Sequence, residues 1–274
     1  MPRSKKRFAL GARFLVLLAA QMKPLIHPWD APFGSRASLQ SQARILGDAL
    51  AAIRPECPVA AFDLDGTLLM NRVRQARIVR EFGLASGDAR LARCPADAIV
   101  SWDLRDSARL CGLSQEESER VYQDLKGFWR DRFFTSEYCR EDEPLAGARD
   151  FLARVQARGG EILYITGRHE EMGEGTVESF RRAGFPVPDG AGVQLWLKPR
   201  LADDDDRWKE ICHARLLALR GIACAFDNEP THVNAYKRAF PAAAVVHLDT
   251  DHSRRPVEVL ASIPSVADFR LEQG

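Results

Sequence analysis

The sequence predicts an α/β fold: a parallel sheet with helices on both faces, interrupted early by a smaller helical region. Three observations lead there. Apolar runs of strand length at 59–62, 162–165 and 222–226 each stop abruptly at a polar residue, as buried parallel strands do. Between them lie segments with apolar residues at helical spacing. The stretch from Met70 to about Asp142 carries no strand-like alternation at all. Parallel strands joined through helices require right-handed crossovers, which stack the elements into a three-layer α/β/α sandwich.

The chain has 274 residues, 46% of them hydrophobic, ample for one large α/β domain and a modest insertion. Its formal charge is +1, but six basic residues precede the first acid, Asp30, leaving 33 basic against 38 acidic residues in the remainder. That remainder has no basic surface of the kind nucleic acids select, so neither nucleic acid nor membrane is expected as a partner. Six cysteines are scattered without a C-x-x-C pair; reduced, mostly buried thiols and a cytoplasmic location follow.

Taken in order, the amino end (1–34) reads as an arm. A basic cluster and the apolar run Phe8–Ala20 imitate a signal peptide, yet Arg13 interrupts the run and no clear small-residue cleavage site follows. A start at Met22 is the alternative reading, and Pro24–Gly34 is too rich in proline for a helix. Ser35–Ile53 has the apolar spacing of an amphipathic helix, closed by Pro55 and Pro58.

Val59-Ala-Ala-Phe-Asp-Leu-Asp-Gly-Thr67 is the stretch around which the rest is organised. A strand here delivers Asp63 and Asp65 to the carboxyl edge of the sheet, where α/β active sites lie. Two carboxylates so close repel unless a cation intervenes or one keeps a proton. Either outcome serves catalysis, with one acid as nucleophile and the other as proton donor and acceptor. Gly66 permits a tight turn that brings amide N–H groups toward an anion, and Thr67 can cap it.

Arginines at 72, 74, 77, 80, 90 and 93 alternate with apolar residues in the insertion (70–142), which reads as several short helices. Ser114-Gln-Glu-Glu117 has the form of a capping box. Any single arginine reads as part of a solvated face; Arg72 and Arg74, nearest the catalytic turn, are the two expected to touch substrate. Pro144–Val155 reads as a helix stopped by Gly159-Gly160. The strand from Glu161 ends in Thr166, Gly167 and Arg168, a hydroxyl and amides able to bind phosphoryl oxygens, with the following helix (about 173–183) adding its amino-terminal dipole. Gly192–Pro199 is a third strand, the acidic run 203–206 a solvated loop that also supplies favourable charge at a helix start, and Trp208–Leu219 a helix. The strand from Ile222 ends at Asp227, and a last strand at 242–248 leads into a polar loop, Asp249–Ser253, and an irregular tail.

Asp63-Leu-Asp-Gly-Thr67 resembles the signature of the haloacid dehalogenase superfamily, and Thr166 and Asp227 resemble its second and fourth motifs. The resemblance implies a Rossmann-like core (35–69 and 143–274) with strand order 5-4-1-2-3 and a helical cap domain (70–142) over the site. It implies a Mg²⁺-dependent phosphatase in which Asp63 becomes phosphorylated, Asp65 moves the proton, and Gly66, Thr67, Gly167 and Arg168 surround the phosphate of a small phosphorylated substrate. The catalytic lysine is Lys209, eighteen residues before Asp227, or Lys198 in its Lys-Pro pair. Asp63, the Asp65 carbonyl and Asp227 would hold the metal. No acid stands four or five residues after Asp227, where many relatives carry one, so Asn228 or Glu229 is expected in support. Phosphoryl transfer to a sugar, as in a phosphomutase, and phospho-ligand binding without turnover are the alternatives.

Overall fold

The computed structural model describes residues 39–271 apart from positions 220 and 254, so the readings of the amino-terminal arm and its signal-like run lie outside it. After helix α1 (Leu39–Ala51) the chain enters β1 (Val59–Phe62) and then the short β2 (Leu69–Met70). The insertion follows as α2 (Arg72–Ser86), two single 3₁₀ turns, α3 (Leu104–Leu110), α4 (Gln115–Phe133) and α5 (Ser136–Cys139). The chain returns through β3 (Glu143–Pro144) to α6 (Ala148–Ala157), β4 (Glu161–His169), α7 (Gly173–Ala183) and β5 (Val193–Lys198). It finishes with α8 (Asp205–Leu219), β6 (Cys224–Asp227), α9 (Pro230–Ala239), β7 (Ala244–Leu248) and β8 (Ser265–Val266).

The six-stranded sheet has the order β5-β4-β1-β6-β7-β8, all pairs parallel. Its five longer strands follow the expected 5-4-1-2-3 arrangement. The sixth, β8, corrects the reading of the tail as wholly irregular: His247 and Leu248 pair with Ser265 and Val266.

Pleating sorts the core. Ala60, Phe62, Tyr164 and Phe226 pack with α1, α6 and α7 through Leu46, Phe151 and Phe180, whereas Ala61, Ile165 and Ala225 face α8 and α9 through Cys212, Leu216 and Val233. Phe62 stacks on Phe226 across adjacent strands, with centroids 5.0 Å apart. This fixes β1 against β6, and Asp63 N–H donates to the Phe226 carbonyl at 2.9 Å, so Asp63 and Asp227 emerge side by side.

The insertion is built of longer helices than expected, α2 with 15 and α4 with 19 residues. They close over their own apolar cluster of Val79, Phe82, Leu104 and Leu125. The capping box forms as read: Ser114 Oγ accepts from Glu117 N–H at 3.1 Å, and Glu117 Oε2 accepts from Ser114 N–H at 2.7 Å. The two chain crossings into and out of the insertion are tied together by the antiparallel pair β2 and β3. Among the described residues no helix is long and apolar enough to cross a membrane.

Candidate active site

Asp63, Asp65, Thr166, Gly167, Arg168, Asp227 and Asn228 line one cavity of about 450 Å³ at the carboxyl edge of the sheet. The turn that delivers the first two requires glycine: Gly66 has φ +78°, and a Cβ there would lie 2.3 Å from Asn228 Nδ2. Thr67 does more than cap this turn, because its hydroxyl donates to Asn228 Oδ1 at 3.2 Å. The Asn228 amide in turn donates to the Asp251 carbonyl at 2.5 Å, so both ends of that side chain are engaged within the protein.

The lysine alternatives separate cleanly. Lys209, 1% exposed, projects from the first turns of α8 and donates to Asp63 Oδ1 at 2.8 Å, Asp227 Oδ2 at 2.9 Å and the Ile165 carbonyl at 2.8 Å. Lys198 instead meets Asp205 Oδ1 at 2.7 Å and the Leu201 carbonyl at 3.1 Å, so it is not brought to the acids.

Asp65 has entirely different company. Arg168 grips it twice, Nε to Oδ2 at 2.7 Å and Nη2 to Oδ1 at 2.8 Å, and Arg74 Nη2 adds 2.7 Å to Oδ1. Both guanidiniums also reach Asp142, Arg74 Nε at 3.0 Å and Arg168 Nη2 at 2.5 Å, with both Asp142 oxygens buried. Two acids and two arginines therefore close on one another, and the Arg74 guanidinium also lies 3.9 Å over the Phe133 ring. This corrects the expectation for Arg72 and Arg74: Arg74 is fully buried behind Asp65, and Arg72 lines a different cavity beside Glu143 and Pro144. Asp142 was not singled out in the sequence at all.

These partners set the protonation states. Burial, opposed by Lys209 and reinforced by Asp227, pushes the Asp63 carboxyl up to about 7. Burial would raise Asp227 too, but Lys209, His232 and the Glu229 N–H (2.9 Å to Oδ1) hold it well below the usual range. Asp65 likewise resists its burial, because Arg168 and Arg74 keep it ionised far below the usual carboxylate range. Burial raises Asp142 to about 6 in spite of the same two arginines.

Thr166 is 1% exposed; its hydroxyl accepts from Arg168 N–H at 3.2 Å, and its carbonyl accepts from Trp208 Nε1 at 3.0 Å. His232 was not read as a site residue, yet it also lines the cavity, with Nε2 2.9 Å from Asp206 and Nδ1 3.4 Å from Asp227. Glu229 turns to the loop after β7, accepting from Ser253 N–H at 2.9 Å and Oγ at 2.8 Å.

Among the described residues, no three His, Cys, Asp or Glu side chains form a ready-made metal cluster. The donor set still fits a hard cation. Two buried carboxyl groups, Asp63 and Asp227, share one ammonium; Mg²⁺ commonly takes one or two carboxylates and completes its shell with water and phosphate oxygens.

Residues 118–213 match a family model described as HAD superfamily, subfamily IIIB (acid phosphatase). No protein of curated function matches the sequence. Solved structures similar to this chain include a haloacid dehalogenase-like family hydrolase from Streptococcus pneumoniae, 12% identical with a TM-score of 0.43 over 73% of this chain and 89% of that one. CbbY from Rhodobacter sphaeroides in complex with phosphate is 18% identical, with a TM-score of 0.45 over 78% and 95%. A class C acid phosphatase from Bacillus anthracis is 18% identical, with a TM-score of 0.43 over 79% and 76%. The family match takes in the strand that ends at Thr166 and the first turns of the helix that carries Lys209, and over that stretch the chain is similar to the acid phosphatases of the haloacid dehalogenase superfamily.

Proposed function

We propose that the protein is a Mg²⁺-dependent phosphomonoester hydrolase that works through a phosphorylated Asp63 on a small phosphorylated substrate. The observation that carries this reading is the Lys209 ammonium lodged between Asp63 and Asp227. It leaves a carboxylate at the tip of β1, facing the cavity, with its charge partly offset but not removed. Asp63 would attack phosphorus in line with the leaving oxygen, while Thr166 and Lys209 accommodate the phosphoryl oxygens and Arg168, expected from the sequence to join them, stays engaged with Asp65, Asp142 and Thr176. Asp63, Asp227 and the Asp65 carbonyl would hold Mg²⁺, whose charge offsets that of the phosphoryl group when bound.

Asp65, two residues from the nucleophile, is the proton carrier. Held by two guanidiniums it is ionised, which is the state required to activate water against the phosphorylated Asp63. Protonating the leaving alcohol in the first half-reaction requires it to take up a proton beforehand. The six free cysteines support a reducing, cytoplasmic setting.

The test is release of p-nitrophenol from p-nitrophenyl phosphate in the presence of MgCl₂. Turnover is expected in the native protein and loss of it in Asp63→Asn; an undiminished rate in that variant would exclude the scheme.

A further inference from the structure

Two thiols of the insertion, Cys94 and Cys111, meet each other, and neither lines the cavity of the catalytic acids. Cys94 closes the first 3₁₀ turn (Leu91–Arg93), its N–H donating to the Leu91 carbonyl at 3.0 Å. Cys111 closes α3, its N–H donating to the Ser107 carbonyl at 3.0 Å. The Cys94 thiol donates to the Cys111 sulfur and has the Pro95 carbonyl, 3.7 Å away, as a second acceptor. The chain on either side is fastened across the same gap. Arg90 reaches the Gly112 carbonyl at 3.3 Å and gives both terminal nitrogens to Glu117, each at 3.0 Å.

Thiols in an apolar interior ordinarily serve as small hydrophobic side chains, and Cys94, 1% exposed among Val79, Leu91 and Leu104, fits that description. Cys111 does not. It is only half-buried, at the edge of the same cluster. A bound metal would need more donors than two sulfurs, and among the described residues no third His, Cys, Asp or Glu side chain joins them.

The hydrogen bond makes the two sulfurs unequal. Accepting it favours the thiolate of Cys111 and lowers that thiol, against burial and Asp88, which act the other way. Donating it, together with burial, pushes the Cys94 thiol well up. Cys57 is the other half-buried cysteine among the described residues, and burial raises its thiol. A half-exposed sulfur that ionises more readily, backed by a buried one, is the arrangement that reacts stepwise with an oxidant.

We infer that Cys94 and Cys111 form a reversible oxidation site that reacts with a small disulfide of the glutathione class. The Cys111 thiolate attacks one sulfur of glutathione disulfide, giving a mixed disulfide at Cys111 and releasing one glutathione thiolate, which takes up the Cys111 proton. Cys94 then gives up its proton and attacks the Cys111 sulfur, and the second glutathione leaves as a thiolate that takes that proton. Two protein thiols are oxidised to one disulfide, and one glutathione disulfide is reduced to two glutathione thiols. Both cysteines end their element, so bringing their Cβ atoms to the distance of about 3.8 Å that a disulfide needs displaces two turn ends and no helix interior. The bond closes the segment 95–110, which contains Trp102, a residue lining the catalytic cavity. Oxidation thereby tethers the part of the insertion that faces the site.

The test is incubation of the native protein with oxidised and reduced glutathione near neutral pH, followed by alkylation with iodoacetamide and peptide mass mapping without reduction. The expected product is one cross-link, Cys94 to Cys111, removed by dithiothreitol. At early times the glutathione adduct is expected on Cys111, forming at least about tenfold faster than on Cys57. In Cys94→Ala the adduct on Cys111 should persist, because the resolving sulfur is gone, whereas Cys111→Ala should leave Cys94 unmodified. The early adduct is read on native protein and so decides the order of attack even where a variant fails to fold. A native protein that keeps the Cys111 adduct without closing it, or that is modified first at Cys57, would overturn the site. None of these readouts uses turnover, so each stands whatever becomes of the phosphatase reading.

Discussion

Replacing Lys209 with methionine removes an ammonium while keeping nearly the same volume, so no cavity confuses the result. The ammonium makes contacts of 2.8–2.9 Å to two carboxylates and a carbonyl. At an effective dielectric of about 20 each ion contact is worth about 6 kcal/mol of attraction, but the cost of having buried the charges cancels most of it. Removing one member of a buried pair typically costs about 3–5 kcal/mol. Asp63 offers a way out, since burial already raises its carboxyl to about 7 and it can take a proton near neutrality. The loss therefore falls at the lower end, about 3 kcal/mol, or about 6–12 °C in melting temperature for a chain of this size. The same proton disables the nucleophile, and a fixed charge against the phosphoryl group is lost, so kcat should fall by at least about 100-fold. Lys198→Met breaks a pair with Asp205, whose side chain is 56% exposed, and a hydrogen bond to the Leu201 carbonyl. That variant should lose no more than about 1 kcal/mol and keep turnover within about threefold. Thermal melts and p-nitrophenyl phosphate assays run side by side decide the matter. An active Lys209→Met enzyme beside an inactive Lys198→Met enzyme would refute the reasoning.

Three further outcomes follow from the same geometry. Asp142→Asn leaves two buried guanidiniums sharing Asp65 alone and should cost about 3 kcal/mol; combined with Arg74→Met it should cost less than the two single changes added together, and strict additivity in denaturant titrations would contradict the closed quartet. His213, buried against Tyr236 at 4.2 Å and close to Lys209, is lowered by burial to about 4. The unfolded chain takes a proton at about pH 6.5 that the folded one refuses, so this group's contribution is complete above pH 6.5 and is lost as pH falls toward 4, by roughly 3 kcal/mol. Between pH 4 and 7, stability should vary less with pH in His213→Gln than in the native protein, and parallel curves would show that the histidine is not held neutral. Chelation by EDTA should abolish turnover, with recovery on adding MgCl₂ but not KCl; full activity after exhaustive chelation would remove the divalent cation from the scheme.

How far the sequence speaks depends on the range of the interaction. A buried parallel strand announces itself in a handful of consecutive apolar residues, so β1, β4 and β6 and the polar residues at their tips are legible without any partner in view. The capping box at Ser114 is equally local. Choosing between Lys198 and Lys209 is not, because Lys198 ends β5 while Lys209 stands in the first turns of α8, and only the packing of α8 against the sheet carries Lys209 to Asp63. Arg74 and Asp142 had no local signal: Arg74 meets Asp65 nine residues back, and Asp142 meets Arg168 26 residues on. The acidic run 203–206 is the clearest case of information absent from composition. Read as a solvated loop that also charges a helix start, it does place Asp205 and Asp206 in the first turn of α8, but its side chains are divided four ways: Asp203 pairs with Arg200, Asp204 accepts from Arg207 N–H, Asp205 holds Lys198, and Asp206 orients His232 and Arg255.

The distribution of charge explains why the site needs something more than its side chains. Around Asp65 the balance is closed, with two carboxylates against two guanidiniums, all four in mutual contact. Around Asp63 it is open, with two carboxylates against one ammonium and a histidine whose proton is the variable. A phosphoryl group entering beside Asp63 adds negative charge to the side that is already short of cations. Arg168 could meet it only by loosening its hold on Asp65 or Asp142, and Arg74, fully buried, has no room to replace it. A divalent cation at Asp63 and Asp227 would reverse the deficit without disturbing the closed quartet, leaving that quartet to keep Arg168 and Asp65 in place while chemistry proceeds next to it.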